Sequence, residues 1–359
     1  MKVVNVIWMC VVICFGGVIS CFAQQGTKNQ VLLERIARIY AIIPQDLRVD
    51  ELLEKIDEVD KQVNLLIDSI SNQELKSKAQ LLRFKGLLWS MKQTDEVIRK
   101  DLEKRIHGLD LDSPELELLS DVEVTNLLNG YFQVFMPDAS AVERATYVLY
   151  NIGSEKVRNS YVPFVLISAL KKNGYTSDVE GLMEDIELCS KTEATIQKAK
   201  ELKNSYYPVR EGAVAPDFEM EDEYGNRVKL SDFRGKIVFI DVWATWCDGC
   251  VKGLPAFIAL RDQYKDRDDI VFLTISDDGI ESKSHWLKFL KERKYSGKIP
   301  HLIANNAKDH FVKDYCITGI PRYILVNREG KIVNAWHIAA NHEFFSWMFE
   351  MELKGLAGE

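Results

Sequence analysis

Apolar residues recur every three to four positions through the first half of the chain, from about Gln30 to Tyr206. That spacing places them on one face of a helix. The first such stretch ends at Pro44, and its apolar positions are Leu32, Ile36, Ile39 and Ile43. Further helices are predicted over Leu52–Ile70, Glu115–Phe135, Ala141–Ile152, Val162–Lys172 and Ser177–Ser205. Because their apolar faces have to pack on one another, residues 24–206 are predicted to form an all-α domain.

The pattern changes at the stretch "YYPVREGAVAPDF", which is punctuated by Pro208, Gly212 and Pro216. Beyond it, short apolar runs alternate with amphipathic stretches. Strands are predicted at Phe218–Met220, Arg227–Leu230, Ile237–Val242, Ile270–Ser276, Tyr323–Asn327 and Ile332–Trp336. Helices are predicted at Pro255–Tyr264, Ser284–Arg293 and Asn341–Leu353. The chain is therefore predicted to be multidomain, with an α/β domain over residues 207–359 following the helical one.

The first residues have the pattern of an export signal. Lys2 precedes an apolar run over Val3–Ile19, and the small-residue segment "SCFAQQ" follows. The run is short of the ~20 apolar residues that span a bilayer, although an uncleaved anchor is the alternative. Cleavage after Ala23 would release a soluble protein, whereas "VISC" resembles a bacterial lipobox and would place a lipid on Cys21. Either way, residues 1–23 indicate a signal peptide and a periplasmic or cell-envelope location.

Charge and cysteine content narrow the function classes. The formal net charge is −8, and no Lys/Arg stripe is present, which argues against nucleic acid as a partner. Three of the seven cysteines lie in the predicted signal region. The four that remain are Cys189, Cys247, Cys250 and Cys316. Four thiols are too few for a disulfide framework in a large exported chain. The close spacing of Cys247 and Cys250 therefore indicates a specific role.

That pair lies in "DVWATWCDGC", at the end of a predicted buried strand. Three explanations compete: a redox dithiol, half of a zinc site and a structural staple. Zinc would need a second pair of ligands at metal-site spacing, which the sequence lacks, and a staple this short stabilises little. At a helix N-terminus, Cys247 would be stabilised as a thiolate and exposed, with Cys250 below it. The pattern favours Cys247 as attacking nucleophile and Cys250 as resolving thiol.

The segment "GAVAPDFEMEDEYGNRVKLSDFRGKIVFIDVWATWCDGC", with "YCITGIPRYILVNREGKIV" after it, resembles the TlpA/ResA-type branch of the thioredoxin superfamily. The resemblance covers about Val209 to Leu353 and implies a thioredoxin-like fold. It implies an exported thiol–disulfide oxidoreductase that reduces protein disulfides, is re-reduced by a membrane electron donor and uses no organic or metal cofactor. It also implies that Pro321 follows a cis bond beside the cysteines, with the backbone of Ile320 pairing with the substrate peptide.

Three further residues have expected roles or positions. Asp241 lies in the first buried strand, six residues before Cys247, where burial should raise its pKa. It would be either the proton acceptor that deprotonates Cys250 or a hydrogen-bonded structural residue. Trp246 should shield the sulfurs and offer an apolar contact to a substrate, whereas Trp243 should pack inside the domain.

The sequence departs from the family at two positions. Relatives usually carry Glu-x-Pro after the second cysteine, but here Gly253 takes the place of the glutamate. Asp248 lies directly beside Cys247, where its charge should raise the pKa of the thiol and favour a reducing pair. The alternative function is a thioredoxin-like binding module, with the helical domain engaging the partner and redox chemistry secondary.

Overall fold

The computed structural model describes residues 28–44, 47–90, 96–305 and 310–357. The predicted signal peptide, the lipobox and Cys21 lie outside these residues. The structure divides into two compact units. Unit 1 comprises the residues up to Leu166 together with Glu184–Ile196, and unit 2 comprises Ile167–Met183 together with Gln197–Glu359.

The first half of the described chain is helical, which confirms the predicted fold class. Its helices are α1 (Lys28–Ile39), α2 (Val49–Asp68), α3 (Gln73–Ser90), α4 (Glu96–Arg105), α5 (Asp121–Phe135), α6 (Ala141–Asn151), α7 (Glu155–Asn173), α8 (Ser177–Cys189) and α9 (Glu193–Tyr206). Helices α3 and α4 were not predicted. In the helices that were predicted, the apolar faces are largely buried, as the periodicity indicated.

Several predicted helix boundaries differ from the structure, and local chemistry explains one of them. The helix predicted from Glu115 begins only at Asp121, because Ser120 caps it: the Ser120 hydroxyl accepts from the amide of Glu123, whose carboxylate accepts from the amide of Ser120. The continuous helix predicted over 177–205 is two helices, interrupted between Cys189 and Glu193. The amphipathic period continues across this break, so periodicity alone does not reveal it.

Unit 2 contains a seven-stranded mixed sheet with the order β2-β1-β5-β4-β3-β6-β7. The strands are β1 (Glu219–Asp222), β2 (Arg227–Lys229), β3 (Ile237–Trp243), β4 (Ile270–Ser276), β5 (His301–Ile303), β6 (Arg322–Val326) and β7 (Ile332–His337). The helices between and after them are α10 (Asp248–Gln263), α11 (Lys283–Glu292), α12 (Phe311–Asp314) and α13 (Phe345–Ala357). β3 is parallel to β4 and antiparallel to β6. β5 was missed, because three residues are too few to show a period.

β3 is the centre of the unit 2 core, and all seven of its residues are buried. Side chains alternate between the two faces of a strand, so Asp241 lies on the same face as Phe239 and Trp243. Both of those residues pack in one apolar cluster with Cys250. The topology therefore places a carboxylic acid in the apolar layer between the central strand and helix α10.

The compact units follow a division different from the boundary predicted at 206/207. Residues 167–183 and 197–206 fall in the unit that contains the sheet. Within the described ranges, no helix is both long enough and apolar enough to cross a lipid bilayer.

Candidate active site

Cys247 and Cys250 are joined by a disulfide at the start of helix α10. Cys247 is the N-cap residue, and its Sγ accepts a hydrogen bond from the backbone amide of Cys250 at 3.2 Å. Cys247 is half-buried and Cys250 is fully buried. Helix N-terminal amides stabilise negative charge, so a thiolate at Cys247 would be favoured in the reduced protein. The arrangement has the accessible first sulfur and sheltered second sulfur that the sequence predicted.

The loop before Cys247 is held by Asp278, an aspartate that the sequence pattern did not indicate. The Asp278 carboxylate accepts from the backbone amide of Thr245 at 2.9 Å and from its hydroxyl at 2.5 Å. The hydroxyl of Ser276 donates to the same carboxylate at 2.5 Å. Asp278 follows strand β4, the parallel neighbour of β3. The carboxyl ends of parallel strands meet at one edge of a sheet, so this contact depends on a topology that is not visible in a linear motif.

The loop containing Pro321 lies against the disulfide. The Ile320–Pro321 peptide bond is cis, as the resemblance implied. The Sγ of Cys247 lies 3.8 Å from the carbonyl oxygen of Ile320. Pro321 is exposed and Ile320 is half-buried. A polypeptide that reached the Cys247 sulfur would therefore pass over the backbone at residues 320–321.

Asp241 is completely buried, with a relative exposure of 0%. Neither of its carboxylate oxygens has a hydrogen-bond partner among the described residues. Burial raises the pKa of Asp241 well above its ordinary value, because it disfavours the charged carboxylate. Tyr323 is opposite Asp241 in the pairing of β3 with β6, and it belongs to the same apolar cluster as Cys250. The environment that the sequence predicted for Asp241 is therefore present.

The two tryptophans differ as predicted in their exposure. Trp246 is 67% exposed immediately before Cys247, whereas Trp243 is fully buried and packs against Phe289 at 5.4 Å between ring centroids. An exposed indole beside a reactive sulfur is a ready apolar contact for a second polypeptide. The side chain of Trp243, by contrast, belongs to the core.

The charge on Asp248 is not isolated. Its carboxylate accepts from the Nζ of Lys252, one helical turn later, at 2.8 Å. Both side chains are highly exposed, at 87% and 74% of their surface. The ammonium of Lys252 lowers the pKa of Asp248 and offsets its field, and solvent screens what remains. The ion pair with Lys252 therefore reduces the effect that Asp248 was predicted to have on the pKa of Cys247.

Gly253 lies against Tyr323. A Cβ built on Gly253 would lie 3.2 Å from the Oη of Tyr323, which is closer than an ordinary van der Waals contact. The space that a side chain at 253 would need is thus taken by the tyrosine hydroxyl. This chain has a neighbouring phenol where the family has a glutamate.

The other two described cysteines are free thiols. Cys316 is buried, its Sγ donates to the carbonyl of Ser205 at 3.0 Å, and burial raises the pKa of the thiol to about 11. A thiol with that pKa is unreactive at neutral pH, which supports the buried, unreactive role that we assign to it. Cys189 is half-buried near the end of α8 in unit 1.

Comparisons with known proteins give a family for the second half of the chain. Residues 210–341 match the model of the Redoxin family. The chain is 35% identical over 127 residues to the thiol-disulfide oxidoreductase ResA of Bacillus subtilis, an alignment that covers 35% of this chain and 66% of that protein. It is 32% identical over 123 residues to the ResA of Bacillus thuringiensis subsp. konkukian, with 34% of this chain and 66% of the relative covered.

The alignments therefore span about two thirds of the relatives and one third of this chain. Among solved structures, the thioredoxin domain of a thiol-disulfide oxidoreductase from Bacteroides vulgatus is 31% identical, with a TM-score of 0.35, 40% of this chain and 97% of the other covered. The Redoxin match over residues 210–341 and the ResA relatives show that the second half of the chain contains a thioredoxin-like domain similar to the TlpA/ResA type.

Proposed function

We propose that this protein is a thiol–disulfide oxidoreductase that reduces disulfide bonds in other proteins through Cys247 and Cys250. The single observation that carries the proposal is the disulfide at the N-terminus of α10, with one sulfur accessible and the other sheltered. The names of the ResA relatives support the same activity. A purely structural disulfide would not require this asymmetry, and neither would a binding module.

The first step is attack on the substrate. The thiolate of reduced Cys247 attacks one sulfur of a substrate disulfide, that S–S bond breaks, and the other substrate sulfur leaves as a thiolate that takes up a proton. The product is a mixed disulfide between Cys247 and the substrate. The carbonyl of Ile320 lies 3.8 Å from the Sγ of Cys247, Pro321 follows Ile320, and the exposed Trp246 directly precedes Cys247, so we assign these residues the contacts with the substrate polypeptide.

The second step is resolution. The thiol of Cys250 loses its proton, its thiolate attacks the Sγ of Cys247, and the second substrate sulfur leaves. Two electrons have then passed from the dithiol to the substrate, and the protein is left in the disulfide form seen here. We assign proton acceptance from Cys250 to the ionised form of Asp241, because both side chains lie in the same apolar layer.

The cycle requires a dithiol donor to return the pair to its reduced form. We propose a membrane electron donor for this step, and export directed by residues 1–23. The predicted lipid on Cys21 would retain the protein at the membrane beside that donor, whereas cleavage after Ala23 would release it into the periplasm. The mass of the processed N-terminus separates these two outcomes.

The direction of electron flow is tested by the reduction potential of the pair, measured by equilibration with a thiol redox buffer. A value near that of thioredoxin, about −270 mV, would support a reductase, whereas a value above about −180 mV would contradict it. The roles of the two cysteines are tested by trapping. Cys250→Ser should accumulate a mixed disulfide with a model substrate such as insulin, and Cys247→Ser should not. Trapping through Cys250 instead would reverse the assignment.

A further inference from the structure

A cavity of about 320 Å³ adjoins the loop of residues 320–321, on the same unit as the disulfide. Ile320 and Pro321 form one part of its lining. Arg322 and the last turn of helix α7, with Lys171 and Lys172, form another. Since the Ile320 carbonyl lies 3.8 Å from the Sγ of Cys247, whatever binds at that sulfur lies next to the cavity. The α7 residues precede the segment that matches the Redoxin family.

Arg322 is a buried cation, only 6% exposed. Its guanidinium donates to the carbonyls of Ala335 at 3.1 Å and Cys316 at 3.3 Å, and lies 3.9 Å from the ring centroid of Trp336. In the described part of the chain, no carboxylate forms an ion pair with it. Burial lowers the pKa of the guanidinium to about 10, so it stays charged at neutral pH. A buried charge is ordinarily paired, and no described residue supplies a counter-charge for Arg322.

Lys171 and Lys172 add two positive charges at the same cavity. Both are exposed, and neither forms an ion pair with a described residue. Gly174, with φ +76°, ends the helix so close to Trp336 that a Cβ there would lie 2.2 Å from the indole. This approach holds the end of α7 beside the ring on which Arg322 stacks. Lysines at a helix C-terminus interact favourably with the helix dipole even without a ligand. That interaction does not explain why the charged guanidinium of Arg322 is buried at the same cavity.

Among the residues that the structure describes, no acidic side chain lines this cavity. His337, at its edge, is engaged with Glu352, whose carboxylate lies 2.8 Å from the imidazole Nε2. An adjoining cavity also contains Lys172, but it combines acidic and basic side chains and so has no net preference for an anion. The cationic character is therefore confined to the space beside Pro321.

We propose that this cavity binds a carboxylate of the substrate, so that the preferred substrates carry acidic residues next to the disulfide that is reduced. The assignment of the occupant to a substrate rests on the proposed function. Lys171 and Lys172 attract the acidic segment, and Arg322 is the buried charge that the carboxylate neutralises. The last turn of α7 is thereby a specificity element for chemistry performed by the thioredoxin-like fold.

The test is a binding measurement that requires no redox step. Two synthetic peptides with both cysteines replaced by serine, one with aspartates and one with asparagines at the flanking positions, are titrated into the full-length protein by calorimetry. We expect the acidic peptide to bind roughly three- to tenfold more tightly, with the difference shrinking in high salt. In the double variant Lys171→Gln/Lys172→Gln, the ratio of the two peptide affinities should fall towards one. Lys288→Gln/Lys291→Gln, on α11 and outside the cavity lining, removes the same charge and should keep the ratio.

Equal affinity for the two peptides in the unaltered protein would overturn the inference, as would a preference that survives the loss of both lysines. The cysteine-containing peptides, presented as disulfides to the reduced protein, separate this result from the proposed function. Reduction of both disulfides at equal rates would leave the reductase standing without the acidic preference. Selective binding of the acidic serine peptide with no reduction of either disulfide would contradict the reductase and leave an anion site.

Discussion

Asp241 is the residue at which stability and activity conflict most directly. Its carboxyl is fully buried and has no hydrogen-bond partner among the described residues, so it weakens the fold in a strand that otherwise suits an apolar side chain. Burial favours the protonated form. The raised pKa also makes the ionised form of Asp241 a stronger base than an ordinary carboxylate, which suits it to accept the proton of Cys250 during resolution.

Asp241→Asn is predicted to stabilise the protein at neutral pH. Because the pKa of Asp241 is raised in the folded state, the folded protein holds a proton that the unfolded chain releases above about pH 4. Stability should therefore fall as pH rises from about 4 towards the raised pKa, and the variant should lack this loss. We expect a gain of about 1–3 kcal/mol at pH 7 and almost none below pH 4 in guanidinium unfolding of the oxidised proteins.

The same substitution should slow resolution on the order of 10²-fold, because the amide cannot accept the proton of Cys250. The rate is measured as release of substrate from the mixed disulfide with Cys247 in single-turnover experiments. Stabilisation without slower resolution would show that Asp241 has a structural role only. The stability and the resolution rate of the variant together distinguish a proton acceptor from a purely structural residue at position 241.

Helix α10 has a glycine, Gly253, at a buried interior position, where it packs against Tyr323. Gly253 is buried in its interior, where glycine costs about 1 kcal/mol relative to alanine. The cost is tolerated because the Oη of Tyr323, from strand β6, would come within 3.2 Å of a Cβ at this position. The helix and the strand therefore share one space, and a substituent on either one affects the other.

Gly253→Ala is predicted to leave the free energy of unfolding almost unchanged, because the gain in helix propensity is offset by the close contact with Tyr323. In a Tyr323→Phe background the same change should stabilise by about 1 kcal/mol, a coupling that a double-mutant cycle measures. The matched control is Gly181→Ala on α8, where a Cβ would meet nothing within 4 Å, so its gain should be the same in both backgrounds. Equal gains at position 253 in both backgrounds would contradict the shared-space argument.

For the whole molecule, the main question is where the thioredoxin-like unit begins. The Redoxin match starts at residue 210, and the sequence predicted a boundary at 206/207. In the structure, the ring of Tyr206 stacks on Trp336 with centroids 5.8 Å apart, and the Ser205 carbonyl accepts from Cys316. Gly174 also packs against the Trp336 ring. Parts of the helical half therefore complete the packing around strand β7.

A fragment of residues 207–359 is predicted to be less stable than one of residues 167–359, by at least about 2 kcal/mol. The shorter fragment exposes the ring of Trp336 and leaves Cys316 without its acceptor. Denaturant unfolding of both fragments, under oxidising conditions that keep the Cys247–Cys250 disulfide, measures the difference. If the two had the same midpoint, the boundary at 206/207 would be correct for stability as well as for sequence similarity.

Much of this protein follows from its sequence. The helical first half, the buried strands at 237–242 and 270–276, and the CxxC pair at the start of a helix all depend on local chemistry: apolar period, turn residues and the unpaired amides of a helix N-terminus. The short strand His301–Ile303 and the start of α5 at Asp121 were not found, because a three-residue strand has no period and a cap acts at a single residue.

What only the tertiary structure decided is which distant residues meet. Asp278 holds the loop before Cys247, Tyr323 occupies the space beside Gly253, and Arg322 lies at a cavity with the lysines of α7. Each of these contacts depends on strand order or on the ends of helices, which bring together residues far apart in sequence. Local residue chemistry indicated what kind of site this chain has, and the packing of the elements determined the charges and volumes that surround it.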